Sequence, residues 1–243
     1  MKIRIAQLIV DTNIDSNRDK ILKEISQTKE DEWIVFPEAI LSGYYPSEKE
    51  YTKKLDRDKI RTYLKEIEEH VIEKRCHCLL GSASTINQVW YNSIYFFSYL
   101  SKSKRHDKKY LSKLDKTHFV SGEKLKKYSL GDIDFGMLAC RELIFPQEWI
   151  SLKQSGVKIV FHLNNAIQPH DILWKHILIS RAIENSIFVV SVNNGEKLQK
   201  LGSYIIKPNG KIIAETNTGC EETISVDINL NEVTDDLSKR EDY

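Results

Sequence analysis

The sequence predicts an α/β fold in one domain spanning 1–243. Three observations lead there. Short continuous apolar runs, such as Trp33-Ile34-Val35-Phe36 and Val157 to Leu163, have the length and composition of strands buried on both faces. Amphipathic stretches at helical spacing alternate with those runs. No Pro/Gly linker, repeat or low-complexity segment divides the chain, and 243 residues are enough for one large core.

Taken in order, Ile3 to Ile9 reads as a first strand, and Asn13 to Ser16 supplies turn and cap residues. Ile14, Ile21, Leu22 and Ile25 then fall on one helical face. The Trp33–Phe36 strand stops at Pro37-Glu38, and Ser42 to Pro46 continues as a loop. Residues 47–74 are charged with regularly spaced apolar positions, so one or two helices are expected. Cys78 to Ala83, Val89 to Leu100 and Arg105 to Leu111 read as strands, followed by a polar loop to Gly122. Phe135 to Ala139 is an apolar strand ending at Cys140, and Pro146 to Ser155 opens a helix. After the Val157–Leu163 strand come a helix over Asp171 to Asn185 and a strand over Ile187 to Val192. A hairpin turns on Asn209-Gly210, and Thr223 to Ile228 is the last strand. A charged tail begins at about Asn229.

Composition excludes several functions. The net charge is +1, with lysines scattered among acids, so nothing points to nucleic acid or to a membrane surface. No segment approaches the ~20 apolar residues of a membrane span. Met1 leads directly into an alternating strand rather than a leader. The four cysteines lack secreted-scaffold spacing, which places the chain in a reducing cytoplasm. Cys76-His77-Cys78 is too tight for a zinc site, so no metal is expected.

Reactive side chains stand at three expected strand ends: Glu38, Lys108 and Cys140. Functional groups in α/β sheets gather beyond strand C-termini, so these can converge. A cysteine at the tip of a buried strand faces free N–H groups that favour thiolate and can receive an oxyanion. A nearby carboxylate can carry its proton, and a lysine can neutralise the developing charge. Each also has a plain structural reading: a buried small hydrophobe, a loop acid and a solvated lysine.

Together the residues amount to a resemblance. Val35-Phe36-Pro37-Glu38, Lys108-x-x-Leu111 and Gly136-x-x-x-Cys140-x-Glu142-x-x-Phe145-Pro146 resemble the three signatures of the nitrilase, or carbon–nitrogen hydrolase, superfamily. Tyr91-Asn92-Ser93, Arg181 to Asn185 and Gly202-Ser203 before Pro208-Asn209-Gly210 are similar to further family stretches, in the family's order. The resemblance implies a four-layer αββα sandwich that dimerises through its helices, no metal or organic cofactor, and a small-molecule amide substrate. It implies hydrolysis of a non-peptide C–N bond through a cysteine thioester, with Cys140 as nucleophile, Glu38 as general base and Lys108 at the oxyanion. Nitrilase or N-carbamoyl amidohydrolase chemistry fits the same triad, and an inactive small-molecule-binding homologue is the alternative of another class.

The resemblance also orients the supporting residues. Asp115 stands where many members carry a second glutamate, one methylene longer. Arg141 replaces the usual aromatic residue after the nucleophile, its side chain turned either into the pocket or toward an acid such as Glu142. Tyr44 is expected at the pocket mouth, and Asn164 and Asn165 on a substrate-lining loop. Arg181 and Glu184 are expected to pair with Glu142 or with each other. Lys109 beside Lys108 leaves a register choice of one residue, taken as Lys108 because it keeps the spacing to Leu111.

Overall fold

Two sheets of like construction face one another in the structure, a computed structural model describing residues 1–45, 47–166 and 171–233. The first sheet is built from β1 (Lys2–Gln7), β2 (Trp33–Val35), β3 (His77–Ile86), β4 (Val89–Ser98), β5 (Ser101–Asp107) and β12 (Glu222–Asp227), in the order β12-β1-β2-β3-β4-β5. The second holds β6 (Lys127–Leu130), β7 (Ile133–Ala139), β8 (Ile159–Leu163), β9 (Phe188–Val192), β10 (Tyr204–Ile206) and β11 (Ile212–Glu215), in the order β11-β10-β9-β8-β7-β6. Each has a parallel centre, β1-β2-β3 or β7-β8-β9, flanked by antiparallel strands. Helices make the parallel crossovers: α1 (Ile14–Ser26), α2 (Tyr51–Lys54) and α3 (Arg57–Lys74) in the first sheet, α4 (Pro146–Gln154) and α5 (Asp171–Asn185) in the second.

The two-residue period of the central strands decides the layers. Ile3, Ile5, Trp33, Val35, Phe135, Met137, Phe161 and Val190 point between the sheets into one shared core. Trp33 stacks on Phe161 at 5.3 Å and on Phe96 at 5.1 Å, joining the sheets at its centre. The alternate residues Ile34 and Phe36 pack with Ile21, Ile25, Ile67 and Val71 of α1 and α3. On the other side Leu138, Val160 and Val189 pack with Trp149, Leu178 and Ala182 of α4 and α5. The result is helices, sheet, sheet, helices, as expected.

Strand direction then sets where the chemistry gathers. β4 runs antiparallel to both β3 and β5, so β5 runs the same way as β2. Their C-terminal ends, leading to Glu38 and Lys108, lie at one end of the first sheet. Two glycines permit the close approaches there. A Cβ on Gly81 would sit 2.2 Å from the Ala39 nitrogen, so only glycine lets the Glu38–Ala39 turn lie over β3. A Cβ on Gly122 would sit 2.0 Å from the Asp107 carbonyl oxygen, beside Lys108.

The structure differs from the sequence reading in places. β6 falls in a stretch assigned no element; it is a four-residue edge strand that opens on Lys127, held by pairing with β7 through the Gly131 turn at φ 54°. The strand expected over Arg105 to Leu111 instead covers Ser101–Asp107. Leu173 on α5 is 62% exposed. The expected tail lies outside the described residues from 234 onward.

Candidate active site

Glu38 leaves β2 through Phe36-Pro37 and is wholly buried. Its backbone N–H donates to the Asn164 carbonyl at 3.3 Å, which ties the end of the first sheet to the end of β8 in the second. Ala39 follows at φ 55°, a left-handed conformation that turns the chain sharply after the carboxylate. Lys108, one residue past β5, is also buried, and its Nζ lies 2.8 Å from Glu38 Oε1 and 2.9 Å from Asp115 Oδ2. Asn92 Nδ2 donates to the same Glu38 Oε1 at 2.8 Å. One Glu38 oxygen is thus held twice, whereas Oε2 is buried with no hydrogen-bond partner among the described residues.

Asp115 is long enough for its place. Oδ2 accepts from the Ser112 N–H at 2.9 Å as well as from Lys108, and Oδ1 accepts from the Tyr44 hydroxyl at 2.6 Å. Tyr44 is therefore buried behind the acid rather than standing at a mouth. The register choice resolves geometrically: Lys108 reaches Glu38, while Lys109 Nζ pairs outward with Glu148 at 2.6 Å.

Cys140 sits just past β7 at φ 42°, opening a short 3-10 turn, Cys140–Ile144, before α4. Two buried groups brace that strained position. Glu142 accepts from the Ala139 N–H at 2.7 Å, the Lys109 N–H at 2.7 Å and His106 Nε2 at 2.8 Å. His162 on β8 donates from Nε2 to the Cys140 carbonyl at 2.9 Å, so its Nδ1 accepts from the Ser191 hydroxyl, also at 2.9 Å. The backbone N–H of Asn165 favours the Cys140 thiolate, as the smallest of the influences on it. The Asn165 side-chain oxygen is held by Asn194 and Gln199, each at 3.2 Å. Asn164 is buried, and among the described residues neither its side-chain nitrogen nor its oxygen has a hydrogen-bond partner.

The charges within this cluster act on one another. Burial raises the Glu38 carboxyl above its ordinary range and Asp115 adds to the rise, outweighing Lys108 and the two hydrogen bonds. Burial works against the Lys108 ammonium, but Glu38, Cys140 and Asp115 win and hold it well above an ordinary lysine. Burial opposes Asp115 ionisation too, yet Lys108 and the Tyr44 hydroxyl keep its carboxyl low. Burial raises the Cys140 thiol, and Glu38 raises it further against the pull of Lys108. The strand end and Lys108 favour the thiolate, but burial beside a carboxylate works the other way and favours the thiol.

Other expectations divide. Arg141 is exposed and does not pair with Glu142, whose oxygens are already taken. Arg141 instead borders a cavity of about 490 Å³ just outside the cluster, as do Leu111 and Phe119. Arg181 and Glu184 pair with each other at 2.9 Å. Asn92, His106 and the bracing roles of Glu142 and His162 were not anticipated. The position of Asn92 within Tyr91-Asn92-Ser93 was the available hint. All four cysteines are free. Among the described residues no cluster of three or more His, Cys, Asp or Glu is placed to hold a metal ion. Among them, too, no helix is long and apolar enough to cross a membrane.

Known proteins match this chain along its length. A protein described as Hydrolase in agr operon, from Staphylococcus aureus, is 28% identical over 96% of this chain and 93% of its own. An (R)-stereoselective amidase from Pseudomonas sp. is 25% identical over 88% of this chain and 80% of its own. Among solved structures, a mutant amidase from Nesterenkonia sp. AN1 shows covalent addition of the acetamide moiety of fluoroacetamide at its active-site cysteine. It superposes with a TM-score of 0.81 at 17% identity, covering 98% of this chain and 94% of that one. The family described as Carbon-nitrogen hydrolase matches residues 2–236. A match over so much of the chain, on this fold, makes the protein a member of the carbon–nitrogen hydrolase family, the nitrilase superfamily.

Proposed function

We propose that the protein hydrolyses the C–N bond of a small linear amide through a thioester on Cys140. The carrying observation is Glu38: Lys108 and Asn92 pin one oxygen while the other is buried and unpartnered, free to take a proton. A raised carboxyl pKa suits it to accept the thiol proton and give it up again. Cys140 Sγ attacks the amide carbon as Glu38 takes the proton. The oxyanion meets the Lys108 ammonium and the backbone N–H of Arg141. Glu38 then protonates the departing nitrogen, the C–N bond breaks to release an amine or ammonia, and the acyl group remains as a thioester. Water attacks the thioester with Glu38 again accepting a proton, which restores the thiol and releases the carboxylic acid. Asp115, set by Tyr44 and Ser112, positions Lys108.

Asn164 supports an amide over a nitrile. Among the described residues its buried carboxamide has both a donor and an acceptor without partners, which match the carbonyl and the NH₂ of a primary amide. A nitrile has no donor to offer. The amidase relatives point the same way.

The test is a screen of short primary amides with ammonia detection, beside mass spectrometry of the intact protein. Wild type should release ammonia with any acyl adduct confined to Cys140, Cys140→Ala should release none, and Glu38→Gln should lose most of the rate. Ammonia release by Cys140→Ala would sink the reading.

We further propose that the chain works as a homodimer in the cytoplasm. Ile150 on α4 and Leu173 on α5 are 49% and 62% exposed on the outer helical layer, an apolar face suited to a second copy. A monomer by light scattering at micromolar concentration would count against this.

A further inference from the structure

Three cations border the cavity outside the cluster, and each is the immediate chain successor of a site residue. Lys109 follows Lys108, Lys116 follows Asp115, and Arg141 follows Cys140. The chain therefore places one site group and then one cation toward the cavity at three separate places. The cavity, about 490 Å³, is far larger than the reacting amide group alone requires and lies in the range of small-molecule sites. Tyr110, Phe119 and Phe145 supply apolar wall, with Tyr110 stacked on Phe145 at 3.7 Å.

The charge of this cavity is not balanced. Lys109 is neutralised by Glu148 at 2.6 Å and lies over the Tyr110 ring. Lys116 and Arg141 have no side-chain hydrogen bond or ion pair among the described residues. Two uncompensated cations facing a cavity with aromatic walls favour an anion there, and the Arg141 fork matches an oxyanion in particular. We propose that this cavity binds an oxyanionic far end of the substrate, a carboxylate or phosphate, so that the preferred substrate is a linear amide carrying a negative charge away from the scissile bond. The proposal rests on the thioester reading for which end reacts. The binding it asserts is measurable without turnover.

The experiment is isothermal titration calorimetry on Cys140→Ala with succinamate and glutaramate, their neutral counterparts butyramide and valeramide, and inorganic phosphate. At least one anionic amide should bind about tenfold or more tightly than its neutral counterpart. That advantage should shrink as salt is raised, vanish in the Cys140→Ala/Arg141→Met protein, and be restored in part by Arg141→Lys. Lys116→Met in the same background should reduce it. Phosphate binding that is lost with Arg141→Met would also support the oxyanion site and assign it to phosphate. Equal affinity for charged and neutral amides, with phosphate silent, would overturn the proposal. The two readings fail separately. Selective binding of anionic amides by Cys140→Ala with no turnover by wild type would remove the thioester reading alone. Equal kcat/KM for valeramide and glutaramate in wild type, with equal binding, would remove the oxyanion site alone.

Discussion

Glu38 and Glu142 are the same side chain at the same depth, both fully buried, yet they are pushed in opposite directions. At the tip of β2, Glu38 has one oxygen held and one unpartnered, and burial raises its carboxyl. Behind the β7 elbow, Glu142 is also opposed by burial, but His106 and the N–H groups of Ala139 and Lys109 overcome it and lower its carboxyl. Hydrogen-bond satisfaction, not depth, separates an acid able to move a proton from one that holds a turn in shape. The sign of each contribution to stability follows. A raised folded pKa means that ionised Glu38 costs stability once pH rises through it. A lowered folded pKa means that Glu142 stabilises the fold above its ordinary value of 4.5, and that this is lost as pH falls through the folded value.

The largest break in the comparison should come from Glu38→Gln. It keeps the shape and the hydrogen bonds of the held oxygen but cannot carry a proton, so kcat should fall roughly 10²- to 10⁴-fold. Thermal stability should stay level or rise, because a costly buried charge is removed. Thermal melts beside steady-state kinetics on an active amide check this, and a clear drop in Tm would count against it. Glu142→Gln should do the reverse. Its new NH₂ faces N–H donors, and the protein should lose about 3 kcal/mol, roughly 6–12 °C in Tm. A variant as stable as wild type would show that the brace is not needed.

Acid titration sharpens the contrast further. His162, under the Cys140 carbonyl, is lowered by burial from 6.5 to about 4. Its unfolded form binds a proton first, so stability should fall as pH drops from about 6.5 to about 4, by on the order of 3 kcal/mol. Glu142 adds its own loss only below 4.5, whereas Glu38 opposes the His162 decline only above 4.5 and is flat below it. Urea midpoints across this range should show the first decline, and His162→Gln should flatten it. The smallest effect concerns the lysine pair. Lys109→Met removes a partly exposed partner of Glu148 and should cost less than about tenfold in kcat/KM, well short of Lys108→Met. A larger loss for Lys109 would transfer the role to it.

Much of this was legible in the chain. The apolar runs of β2, β7 and β8 announce strands buried on both faces, because such segments have few other stable places. Asn209-Gly210 announces its hairpin, with Gly210 at φ 84°. Glu38, Lys108 and Cys140 were visible as polar groups ending strands, and the ordered motifs around them carried the family. These are local properties, written within a few residues of one another.

Tertiary structure decided what depends on neighbours distant in sequence. Asn92 meets Glu38 because β4 pairs with β3 and brings its amide to the tip of β2. His162 supports Cys140 because β8 lies beside β7 in parallel register. Arg141 turns outward because His106 and two backbone N–H groups already occupy Glu142. The protonation of the cysteine is the clearest case. Sequence places a lysine and a strand end near it, which favour thiolate. Only the folded arrangement shows burial together with a carboxylate, and desolvation with like charge outweighs one cation. Strand and helix are chosen by patterns along the chain, whereas the charge state of a buried group is set by the sum of fields from every element packed around it.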